Sequence, residues 1–239
     1  MDHKSALRGF ARGARDGLPI SLGYISVSFS IGIRAVGSGL SAWVAVLISA
    51  VNLTSAGQVA GIAVLAAGGP LAEMALTQLV INIRYALMSL SLAQKLSPDL
   101  TTPHRLIAGY GITDEIFAVA SAQQGSVTPG YLYGMILVAA AGWVGGTLLG
   151  AVAGGLLPDL LKNALGIAIY GMFLAIVLPP ARTNRAVMLC ALVASALSCA
   201  LAYLPLFDFI SDGFAVIICA LIAAAVAALV HPIREEAAE

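Results

Sequence analysis

The sequence predicts an all-α polytopic membrane protein with about six full transmembrane helices plus two broken or re-entrant helical elements. Three observations carry this expectation. Of 239 residues, 60% are hydrophobic and only 10% charged, where a soluble domain has about a quarter charged, and the mean hydropathy is +0.96. The apolar runs are helix-length, roughly 17–25 residues or longer, not the ~10-residue alternating segments of a barrel. Two of them carry polar or charged residues at their centres, where a bilayer tolerates them least. Twelve basic and twelve acidic residues cancel, leaving no basic footprint and no expected nucleic-acid partner.

The chain opens MDHKSALRGFARGARDG, with Lys4, Arg8, Arg12 and Arg15 ahead of the first apolar run. No short apolar segment with a small-residue cleavage site accompanies them. Residues 1–16 are therefore expected to remain as a cytoplasmic basic arm, able to touch anionic membrane lipids. Residues 17–231 follow as a single helical transmembrane domain, and 232–239 as a cytoplasmic tail. Leu18–Ile33 is the core of the first span, with Gly17 and Pro19 at its start and Gly23, Ser26, Ser28, Ser30 and Gly32 spread through it. In lipid, such small residues mark close helix contact or substrate-facing segments.

The run Ala42–Ala67 is interrupted by the polar stretch NLTSAGQ, Asn52–Gln58. Each flanking arm of about ten residues reaches about 15 Å, half a hydrocarbon core. That length suits a re-entrant hairpin or a discontinuous helix, which leaves backbone groups open to a zwitterion or an ion. The other reading is one long tilted helix with Asn52, Thr54, Ser55 and Gln58 on its bundle face. Gly68-Gly69-Pro70 then punctuates the chain.

Leu71–Gln94 is long enough to span and yet holds Asn82 and Arg84 near its middle. An arginine there costs about 2.5–3.5 kcal/mol on insertion scales, so it persists facing protein, a wet cavity or an acid. Arg84 is a candidate functional residue, or else half of a pair that only ties helices together. Gln78, Asn82 and Tyr85, spaced by four and three, share one broad face. Glu73 lies in the first turns, where a carboxylate suits the helix's positive end.

Lys95–Arg105 reads as a polar connection with two prolines. Tyr110–Ala122 is short and centres on Asp114 and Glu115. A second re-entrant or tilted, cavity-lining segment is cheaper than a full span holding two charges; alternatively the acids start a helix at a water interface, capped by Thr113. Four further apolar regions follow, at Leu132–Leu157, Ala164–Leu178, Ala186–Leu204 and Phe214–Val230, the first carrying a Gly142/Gly146/Gly150 packing ridge. Cys190, Cys199 and Cys219, odd in number and inside the last two runs, read as buried packing residues and not as disulfides or metal ligands.

Charge sets the expected topology. Eight simple crossings would put Lys95–Arg105 outside, against the positive-inside tendency. If Ala42–Ala67 returns to the outer side and Tyr110–Ala122 to the inner, six crossings place the arm, Lys95–Arg105, Arg182–Arg185 and Arg234 in the cytoplasm with both termini. Asp208 and Asp212 then fall outside. There is no Ser/His/Asp set, metal-ligand cluster or phosphate-cradling loop followed by Lys-Ser/Thr, so no enzyme activity, cofactor or metal is expected.

The opening GLPISLGYISVSFSIG at Gly17–Gly32, SAGQ at Ser55–Gln58, NIRYALMS at Asn82–Ser89 and TDEIFA at Thr113–Ala118, in this order and spacing, resemble the AzlC family, the large subunit of branched-chain amino acid exporters. The likeness covers most of the chain. It implies a multi-pass protein of the bacterial inner membrane that exports valine, leucine, isoleucine or related neutral residues such as methionine, often with a small AzlD-like membrane subunit. It also implies that Gln58, Asn82, Arg84, Asp114 and Glu115 stand at or near the transport path, beside Asn52, Thr54, Ser55 and Tyr85 in the same segments. Two departures stand out. Tyr85 takes the place of the pattern's histidine, and Asn52-Leu53-Thr54-Ser55 replaces its aromatic and Ala-Gly lead-in. Without that histidine, a proton step has Asp114, Glu115 or no side chain to use here.

Overall fold

The computed structural model describes residues 3–158, 160, 174, 177–207 and 209–232. Among them the chain is helical without a β-strand: α1 (His3–Gly37), α2 (Ala42–Val51), α3 (Ser55–Ala66), α4 (Leu71–Ala93), α5 (Thr102–Tyr110), α6 (Asp114–Ala122), α7 (Pro129–Ala153), α8 (Arg185–Tyr203) and α9 (Asp212–Val230). Five helices are long and apolar enough to cross a membrane, in α1, α4, α7, α8 and α9. The expected span Ala164–Leu178 lies almost wholly outside the described residues, as do Asp208 and the tail beyond residue 232.

Several expected boundaries move. Pro19 does not start the first span; it sits inside α1, which runs unbroken from His3. Proline at that point removes one backbone bond, to the carbonyl of Arg15, and a long helix packed along its whole length absorbs the loss. At about 1.5 Å per residue α1 is far longer than a ~30 Å hydrocarbon core, so the basic arm is the protruding end of the span helix. The first interruption is narrower than the sequence suggested: only Asn52–Thr54 are non-helical, and Ser55, Gly57 and Gln58 belong to α3. The connection after α4 ends at Thr101, because Pro103 suits the first turn of α5.

Contacts divide the chain into two compact units, one of Met1–Val59 with Asn82–Ile169 and one of Ala60–Ile81 with Tyr170–Glu239. The first unit is built on a parallel seam between α1 and α7. A β-carbon added at Gly13 would overlap the Tyr131 carbonyl, at Gly134 the Phe10 carbonyl, at Gly146 the Ser28 hydroxyl, and at Gly150 the Phe29 carbonyl. The contacts advance together along both helices, so the pair runs in the same direction with backbones nearly touching. The predicted Gly142/Gly146/Gly150 ridge forms one part of this seam, against Ser21, Ile25, Ser28 and Phe29, while Gly9, Gly13 and Gly17 of α1 meet α7 nearer its start, at Thr128, Tyr131 and Met135.

The segment Thr102–Ala122 forms a hairpin. Gly111, Ile112 and Thr113 separate α5 from α6, so Asp114 and Glu115 stand in the first turn of α6 and not in mid-helix. Thr113 caps that turn, its Oγ1 accepting the Ile116 N–H at 3.4 Å. Both ends of the hairpin stay at one end of α7: His104 Nδ1 lies 2.6 Å from the Tyr133 hydroxyl, and Gln123 Nε2 donates to the Tyr131 hydroxyl at 2.6 Å. The strands of chain leading in and out are tied backbone to backbone by a Leu96–Val127 bridge, and Lys95 Nζ donates to the Ser121 carbonyl at 2.5 Å. Arg12 donates to Gln123 Oε1 at 2.8 Å, which puts this foot at the basic end of α1. The hairpin thus enters and leaves on one side, and it shares that side with the basic arm.

In the second unit, Glu73 is 3% exposed and serves a helix other than its own. Its Oε1 accepts the Ser211 hydroxyl and the Gly213 N–H at 3.1 Å, holding the amino end of α9, where a carboxylate meets the positive end of the dipole. Cys219 is buried, but Cys190 is half-buried and Cys199 exposed; the reading of all three as core residues holds for one. Helix faces turned to lipid need no protein cover.

Candidate functional site

Two polar clusters lie in the first unit, one beside each break. The first is closed. Trp143 Nε1 donates to Gln58 Oε1 at 3.1 Å, Gln58 Nε2 donates to Ser49 Oγ at 2.5 Å, and Ser49 Oγ lies 2.6 Å from Thr147 Oγ1, which donates to the Trp143 carbonyl at 3.1 Å. Because the indole can only donate, it fixes the Gln58 amide, and each later group then donates to the next until the ring returns to Trp143. Ser49, Gln58 and Thr147 are all 0% exposed and Trp143 3%. This ring joins α2, α3 and α7 across the first break. Thr54, also buried, caps α3 by accepting the Gly57 N–H at 3.3 Å, while Asn52 and Ser55 on either side are half-buried.

The second cluster is charged and open. Arg84 NH2 of α4 meets Asp114 Oδ2 at 2.8 Å, with the two side chains 40% and 29% exposed. The guanidinium lies over the Tyr85 ring, 5.0 Å from its centroid, and reaches the Tyr85 hydroxyl at 3.3 Å. Tyr85 therefore supports Arg84 by cation–π contact. Arg84 Nε is buried and has no hydrogen-bond partner among the described residues. Asn82 lies half-buried two residues before it.

The adjacent acids have different partners. Asp114 is paired with a cation; Glu115 accepts a hydrogen bond from the Tyr24 hydroxyl, at 2.6 Å. Tyr24 is 2.6 Å from Thr113 Oγ1 as well, and since its single proton goes to the carboxylate, Thr113 supplies the other. The Tyr24 ring meets Trp143 edge to face, with centroids 5.2 Å apart at 73°. That contact joins the two clusters through α1 and α7.

Every expected site residue thus sits at a break or on the facing part of α4. Sequence reasoning passed over Tyr24, Ser49, Trp143 and Thr147. Each is an isolated polar group in an apolar helix, with partners as far as 98 positions away for Ser49 and Thr147. The only local signal was Tyr24 and Ser28, one turn apart inside the small-residue run of the first span.

Broken half-helices that bring an ion pair and hydroxyls together among apolar spans are consistent with a class, the helical membrane proteins with a transport-related role. The family described as AzlC protein matches residues 19–157, and the chain belongs to that family. It is 32% identical over 226 residues to the inner membrane protein YgaZ of Escherichia coli strain K12, covering 92% of this chain and 91% of that protein. It is 34% identical over 178 residues to an uncharacterized membrane protein of Archaeoglobus fulgidus, covering 74% and 77%. No solved structure matches it significantly.

Proposed function

We propose that this protein exports branched-chain or related neutral amino acids, such as valine, leucine, isoleucine or methionine, across the cytoplasmic membrane by alternating access. The observation that carries the reading is the unsealed Arg84–Asp114 pair beside Glu115 at a helix break. A zwitterion needs one group for its carboxylate and one for its ammonium. Arg84 offers the first through its part-exposed guanidinium, and Glu115, which accepts the neutral Tyr24 hydroxyl, offers the second. Small apolar helix faces take the aliphatic side chain. Binding, orientation and release suffice, and no covalent step is required.

In this reading the basic end of α1 and the feet of the α5–α6 hairpin are cytoplasmic, in line with the positive-inside tendency, and both termini lie inside. A small AzlD-like subunit is the proposed partner, and a proton gradient the proposed drive. The test is a substrate panel in proteoliposomes, made with and without that subunit, under an imposed proton gradient. Saturable counterflow of labelled valine supports a carrier. Conductance without counterflow indicates a channel, and inactivity under every condition leaves a structural or regulatory subunit.

A further inference from the structure

The layout of residues 42–93 repeats in residues 102–153. The first stretch reads half-helix α2, a three-residue break ending in Thr54, half-helix α3, a turn with Gly68 at φ +66°, Pro70, and the long helix α4. The second reads half-helix α5, a three-residue break ending in Thr113, half-helix α6, a turn with Gly125 at φ +82°, Pro129, and the long helix α7. A shift of 59, from Thr54 to Thr113, carries Val51 onto Tyr110, Ser55 onto Asp114 and Pro70 onto Pro129, matching helix end to helix end, start to start and proline to proline. It also brings the start of α2, and both ends of α4, within one residue of their counterparts; only the end of α3 departs further. The capping is the same: each threonine accepts the N–H three residues on, at 3.3 Å from Gly57 and 3.4 Å from Ile116. The side chains between these landmarks are almost wholly different, so the local sequence does not by itself impose the shared layout.

We infer that these are two copies of one unit, inserted in the membrane in opposite orientations, with the α2–α3 hairpin as the outer gate and the α5–α6 hairpin as the inner one. The orientation follows from counting crossings. In the second copy both feet of the hairpin lie at the amino end of α7, so the copy crosses once, through α7. A unit that crosses once delivers the next copy upside down. If the first copy folds likewise, its hairpin opens on the face opposite the basic arm. The break-proximal ends of α2 and α5 suit this arrangement: the Tyr110 hydroxyl donates to the Ala50 carbonyl, so equivalent half-helix ends lie within reach of one tyrosine side chain. Inverted pairs of this kind are a general way to build alternating access around a fixed central site.

The inference does not depend on the identity of any substrate, and its test requires no transport. Single cysteines are placed in exposed turns of a chain with C190S, C199S and C219S, as Ser38→Cys, Ala67→Cys, Asp99→Cys and Gln124→Cys. They are labelled with a membrane-impermeant maleimide in right-side-out and inside-out vesicles. Positions 38 and 67 are expected to label from one face only, and 99 and 124 from the other only. Labelling of positions 38 and 67 from opposite faces would make α2–α3 a single interrupted crossing and overturn the inversion. If Ala67→Cys does not accumulate in the membrane, Ala66→Cys in the same turn gives the same reading.

Discussion

The two breaks have similar backbones and opposite chemistry. Around the first, four neutral residues close a hydrogen-bonded ring from which solvent is excluded, each donating to the next. Around the second, an arginine and two acids stay partly open, and one guanidinium nitrogen remains unpartnered among the described residues. A satisfied neutral ring fastens elements together, since any group withdrawn from it leaves another buried and unpaired. An unsealed charge cluster can exchange its partners for a ligand. The contrast fits a fastening role for Gln58 and, in the proposed reading, a binding role for Arg84 and Glu115, although the sequence ranked them alike.

The most severe break in this contrast is R84A. Export is expected to disappear with membrane abundance unchanged, because the partly exposed pair contributes only about 1–2 kcal/mol of stability once solvent screening is allowed for. Normal export by that variant would sink the proposed role of Arg84. Next come D114N and E115Q, each expected to lower export by roughly tenfold, the scale of about 1.4 kcal/mol in a charge-assisted contact. They should differ in kind: D114N releases Arg84 and lowers the rate, while E115Q keeps the Tyr24 bond and raises the half-saturating substrate concentration. Identical kinetic defects would collapse the distinction between the two acids.

Substitutions in the closed ring should act the other way round. Q58L leaves the Trp143 and Ser49 partners unsatisfied, at about 1–3 kcal/mol, so a lower thermal unfolding midpoint in detergent is expected with half-saturation unchanged. A weakened substrate affinity at full stability would move Gln58 into the binding site. The smallest effect is expected from W143F, which removes one indole donor but keeps a ring against Tyr24, and should lower the midpoint by about half as much as Q58L.

Much of this arrangement was legible in the residues. NLTS inside an apolar run announced the first break, because backbone freed within a bilayer has to be matched by polar side chains. Thr113 followed by two acids announced a helix start, and α6 begins there under a Thr113 cap. Pro19 misled, since proline usually punctuates helices but the α1–α7 seam carries the helix through it. Glu73 was read against its own helix dipole and serves another. The ring around Gln58 was illegible for a physical reason: long-range hydrogen bonds between single polar residues leave no period in the chain, and in a membrane a lone serine or threonine reads equally well as packing.

The seam between α1 and α7 bears on which parts can move. Its glycines bring backbone against backbone, with the Tyr131, Phe10 and Phe29 carbonyls occupying the places where β-carbons would stand. Ridges and grooves this shallow are matched at one register alone. Sliding by a turn would bring side chains such as Ile25 or Phe29 against backbone that admits only hydrogen. The two helices are therefore locked in register with each other, and in the proposed transport cycle the travel would fall to the chain at the breaks Asn52–Thr54 and Gly111–Thr113.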